Sequence, residues 1–88
     1  MDKIEEFFKA NKLEEALSLC NERLCADSEN VELLMYSGRI NQKMGERRLA
    51  TNAYLKVLNI EPDHSEARTA FQMIKGIMDY YCKDMVNP

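Results

Sequence analysis

The stretch GRINQKMGERRLATNAYLKVLNIEP, residues 38–62, opens on one glycine, turns on a second and stops on a proline. Between Gly45 and Pro62 the apolar residues Leu49, Ala50, Ala53, Tyr54, Val57 and Leu58 recur every three or four positions, which places them on one face of an α-helix. Gly45 is well placed as the left-handed residue that closes a preceding helix carrying Val31, Leu34, Met35, Gly38 and Ile40. Pro62 blocks continuation, because its ring clashes with the preceding turn and it has no amide hydrogen. Asp63 and Glu66 then stand in capping-box spacing, so the sequence predicts Asp63 as the cap of the next helix, with Glu66 reaching back.

Outward from this stretch the same pattern continues. Toward the C-terminus, Ala67, Ala70, Phe71, Ile74, Ile77, Met78 and Tyr81 mark a fifth helix reaching about residue 85. Toward the N-terminus, Ile4, Phe7 and Phe8 form a short first helix interrupted at Ala10-Asn11-Lys12. Leu13, Ala16, Leu17, Cys20 and Leu24 form a second, ending in Asp27-Ser28-Glu29-Asn30, where Ser28 or Asn30 can cap the third. Eighty-eight residues allow one domain, 1–88, with a thin core. The fold class expected is all-α, with about five helices joined by short turns and hence antiparallel.

Compared with itself at an offset of 34, the chain places Ala16 on Ala50, Cys20 on Tyr54, Leu24 on Leu58, Asn11 on Gly45, Ser28 on Pro62 and Glu32 on Glu66. Two helices and two tight turns per period describe a unit too small to stand alone, which must stack on neighbours. Gly38, Ala50-Thr51-Asn52-Ala53-Tyr54 and Pro62 together resemble the tetratricopeptide repeat family. That resemblance implies a short α-α superhelix: a partial first repeat over 1–30, a full repeat over 31–64 and a terminal capping helix over 65–85. Gly38 and Ala50 would be small where the two helices of a unit cross, and Tyr54 would fill the space between units. The first unit departs from the pattern, with Ile4 where a glycine would sit and Cys20 and Ser28 in place of the aromatic and the proline.

In the resembled family the first helices of successive units line a concave groove that holds a peptide. Mapped here, the partner-binding residues are Phe8, Met35, Tyr36, Arg39, Lys43, Met73, Ile77 and Tyr80: an apolar floor with a basic rim, in which Arg39 and Lys43 can attract acidic residues. The clamp by which some family members grip acidic C-terminal tails is not expected, since Met1, Glu5, Tyr36, Glu66 and Ala70 stand at its positions. Met73, Ile77 and Tyr80 exceed what the fifth helix needs to cover the fourth, which suggests a bound segment or a second copy of the chain.

Other function classes find little footing. A net charge of −3 and a pI near 5.1 argue against nucleic-acid binding. The N-terminus lacks the apolar core of a signal peptide, and no stretch approaches the ~20 apolar residues of a membrane span. Cys20, Cys25 and Cys82 cannot all pair within one chain and have no zinc-ribbon spacing, so a reducing, cytoplasmic setting is expected. His64 reads as a solvated turn residue with no nucleophile beside it, and neither a metal site nor a cofactor is predicted. The expected function is a noncatalytic protein–protein interaction module or scaffold; the alternative is a helical homodimer or assembly subunit.

Overall fold

The computed structural model describes the backbone of residues 2–86 and the side chains of residues 3–76. The fold is all-α: α1 (Asp2–Lys9), α2 (Leu13–Ala26), α3 (Val31–Lys43), α4 (Arg47–Ile60) and α5 (Ser65–Val86), with no strand among the described residues. Each helix packs on the next in sequence, most extensively α3 on α4. The radius of gyration, 13.6 Å, exceeds the roughly 12 Å of a compact domain of this length, so the helices are arrayed in a row.

The turns repeat. Asn11 (φ 63°) ends α1 and Gly45 (φ 84°) ends α3, both left-handed and thirty-four positions apart. At the first turn the Lys12 amide donates to the Phe7 carbonyl at 2.8 Å, and at the second the Glu46 amide donates to the Asn41 carbonyl at 2.8 Å. Glycine adopts this conformation without strain, and asparagine is among the few other residues that tolerate it.

The remaining two turns match as well. Asp27 donates to the Arg23 carbonyl at 3.0 Å where Glu61 donates to that of Val57 at 2.7 Å. Helix α4 ends at Ile60, two residues before Pro62. Asn30 caps α3, its Oδ1 accepting from the Leu33 amide at 3.1 Å. At the corresponding place before α5, the Ala67 amide donates to Nδ1 of His64, also at 3.1 Å.

This corrects two expectations. His64, not Asp63, caps α5, and it is half-buried rather than a solvated loop residue. Glu66 does not reach back to close a capping box; its carboxylate pairs with Arg39 on α3. A cap must sit immediately before the first helical residue, and the turn after Pro62 is one residue longer than the Asp63 reading assumes.

Two apolar clusters flank α3. The N-terminal one joins Ile4, Ala16, Cys20, Leu33 and Ile40; the C-terminal one joins Leu34, Met35, Ala50, Tyr54, Val57, Ala67 and Ile74. Gly38 faces the Tyr54 ring so closely that a Cβ there would lie 2.5 Å from Cε1. The glycine is therefore small to admit the tyrosine of its own unit. Tyr54 does not only fill space between units: its ring seats on α3 while its cluster continues to Ala67 and Ile74 of α5.

Candidate interaction face

With Leu33 and Ile40 in one cluster and Leu34 and Met35 in the other, α3 keeps one partly exposed strip, on which Tyr36, like Phe8 of α1, still packs against the N-terminal cluster. Tyr36, Arg39 and Lys43 lie along it at helical spacing. Helix α1 brings Phe8 alongside: its ring meets that of Tyr36 edge-on, centroids 6.5 Å apart and planes at 76°, an arrangement that puts the positive edge of one ring against the negative face of the other. The Lys43 ammonium sits 5.0 Å from the Phe8 centroid, and the Arg39 guanidinium carbon 5.8 Å from that of Tyr36. On the far side Arg39 pairs with Glu66 at the start of α5. One file of side chains, Lys43, Phe8, Tyr36, Arg39 and Glu66, thus ties α1, α3 and α5 together although none is a sequence neighbour of another.

Arg39 borders three depressions on this face. A cleft of about 420 Å³ lies between α3 and α5, walled by Arg39, Gln42 and Glu66, with Met35 and Met73 among its apolar lining. A second, of about 280 Å³, runs from Tyr36 toward His64. The third, about 300 Å³, is a shallow, open depression bordered by Phe8, Arg39, Gln42 and Lys43.

Of the residues picked from the sequence, Phe8, Tyr36, Arg39 and Lys43 are brought together. Met35 is 6% exposed and belongs to the core, touching the cleft only with its edge. Met73 is 60% exposed at the cleft rim, more than a residue that merely packs between helices would be. Ile77 and Tyr80 lie outside the residues with described side chains. The expected free basic rim is half engaged, since Arg39 already holds a carboxylate. That pair is well exposed on both sides and so contributes at most about 1 kcal/mol.

Gln42 is a further member of this face. The Tyr54 hydroxyl donates to Oε1 of Gln42 at 3.0 Å, fixing the amide at the boundary of two depressions. Burial pushes the Tyr54 phenol above its ordinary pKa, with the Arg39 charge only partly opposing this, so the hydroxyl keeps its proton as donor. The signal was the pairing of an aromatic at 54 with a glycine at 38, which seats the ring on α3 one turn from position 42.

Cys20 is fully buried, its thiol donating to the Leu33 carbonyl at 3.1 Å; burial pushes its pKa up to about 11. A thiol held protonated in this way is a packing group and not a nucleophile. Among the described residues no set of three His, Cys, Asp or Glu side chains is placed to hold a metal ion, and no helix is long and apolar enough to cross a membrane. No protein-family model matches the chain, and neither a curated protein nor a solved structure matches it significantly.

Proposed function

We propose that the chain is a noncatalytic interaction module of the tetratricopeptide-repeat type, acting in the cytoplasm and holding a protein or peptide segment along the face shared by α1, α3 and α5. The observation that carries this reading is the file of side chains joining three helices that are not sequence neighbours, bordered by the α3–α5 cleft with exposed Met73 at its rim. Alternate helices of a stacked array line one side, and a continuous surface made by alternate helices is the place where an extended segment meets several units at once. The recurrence of every turn hydrogen bond at thirty-four residues supports the repeat reading independently of residue identity.

The test is a set of binding peptides selected from a random library and titrated into labelled protein. Amide shifts concentrated in residues 32–43 and 66–76 are the expected result; shifts confined to α2 and the outer side of α4 would overturn it. The exposure of Met73 favours self-association as the second reading. Sedimentation settles that one, since a strict monomer at ~1 mM leaves no useful self-affinity.

A further inference from the structure

We infer that the depression between α1 and α3, bounded by Phe8, Arg39, Gln42 and Lys43, is a subsite for a single carboxylate on the bound segment. The inference rests on the groove reading above and names the chemistry recognised there. Every polar group lining this depression is a donor. Arg39 offers guanidinium N–H groups beyond the one nitrogen that Glu66 engages, and Lys43 offers its ammonium and has no ion-pair partner among the described residues. Gln42 would ordinarily be ambivalent. Here its oxygen accepts from the Tyr54 hydroxyl, which leaves the NH2 as the group available to donate. No acidic side chain lines the depression; nearby Glu5 is paired with Lys9 at 3.1 Å.

Charge selects among anions. Arg39 and Lys43 bring two positive charges and Glu66 one negative, which leaves one to be neutralised. That matches a carboxylate better than a dianionic phosphate. Glu66 also displays the intended chemistry, since it is a carboxylate already lying against the opposite side of the same guanidinium. Because that pair is exposed and weak, the guanidinium can turn from Glu66 toward an incoming carboxylate, and Glu66 acts as an internal competitor for the site. The Phe8 ring provides an apolar wall against which the aliphatic stem of the acid lies.

The test follows the Gln42 side-chain NH2 and Arg39 Nε–H signals by nitrogen–proton NMR at constant ionic strength. Sodium propionate should shift both saturably. Lys43→Met should weaken the response about tenfold, and Glu66→Gln should strengthen it several-fold by removing the competitor; circular dichroism verifies that both variants fold. A linear response equal to that of chloride, indifference to Lys43→Met, or tighter binding of inorganic phosphate would each overturn the assignment. Two capped probes then locate the source: acetyl-Leu-Glu-Leu-amide carries only a side-chain carboxylate, and acetyl-Leu-Leu-Leu with a free C-terminus only a main-chain one. The tighter of the two identifies the source, and failure of both to exceed propionate sinks the link to a segment. Peptides that move residues 32–43 and 66–76 with no propionate response would leave the groove standing and the subsite refuted. Propionate saturation with no peptide shift in 66–76 would do the reverse.

Discussion

Ile4 on α1 and Cys20 on α2 are fully buried in the N-terminal cluster; thirty-four positions later the equivalent places are held by Gly38 on α3 and Tyr54 on α4. In the first unit the bulk is on the first helix and the small group on the second, and in the second unit the order is reversed. Cores tolerate such exchanges when total volume is kept, because close packing constrains the sum more than the individual partners. What looks in the sequence like two separate departures from the 34-residue pattern is, in the folded chain, one exchange of bulk between two positions of the same cluster. The lesson is that a departure at one position of a repeat pattern has to be read together with the position it packs beside.

This comparison can be broken most severely at Tyr54. Tyr54→Ala empties the larger site and removes the hydroxyl that holds Gln42, so a loss of about 3–5 kcal/mol is expected in urea unfolding, enough to unfold much of a small domain. Cys20→Ala at the equivalent place should cost only about 1 kcal/mol.

The second test uses alkaline pH. Burial pushes the Cys20 thiol from its ordinary pKa of 9.0 up to about 11 in the folded chain. Below pH 9 both folded and unfolded thiols are protonated and the stabilisation is fully present. Between pH 9 and 11 the unfolded thiol ionises while the folded one does not, so stability falls as pH rises, by on the order of 2–3 kcal/mol across the window. Cys20→Ala should flatten the slope between pH 9 and 10, before the raised Tyr54 begins to add a loss of its own above pH 10.

Third, Gly38→Ala drives a Cβ into the Tyr54 ring and should cost about 1–3 kcal/mol. The double change Gly38→Ile with Tyr54→Cys transplants the first unit's solution into the second. It should recover part of the two single losses, and a double-mutant cycle with no favourable coupling would refute the compensation. The smallest effect is expected at the turns. Asn11→Gly makes the first left-handed turn like the second and should stabilise by about 0.5 kcal/mol, read as a small rise in the urea midpoint.

The helices and their boundaries were legible because periodicity, Gly45 and Pro62 are local signals, and local signals decide where a helix starts and stops. The left-handed turn at Asn11 was legible too, through its alignment with Gly45. The cap of α5 was not, since Asp63 and His64 both offer an acceptor and only the path of the turn chooses between them. At the candidate site, Phe8, Tyr36, Arg39 and Lys43 came from the groove positions that the resemblance to the repeat family implies. The Arg39–Glu66 pair and the Tyr54–Gln42 hydrogen bond depend on how two helices sit relative to a third, which spacing along one helix does not encode. Met35 was placed in the groove floor by the same resemblance, yet it lies with Leu34 in the C-terminal core cluster.

The bend that leads from α2 into α3 and the bend that leads from α4 into α5 share their backbone hydrogen bonds donor for donor, and in each a capping side chain accepts from the amide three residues on. Residues 31–64 therefore end on a junction that already fits their own beginning. A gene segment copied in tandem over that interval would read through its seam without a new joint, so a longer version of this molecule lies one duplication away.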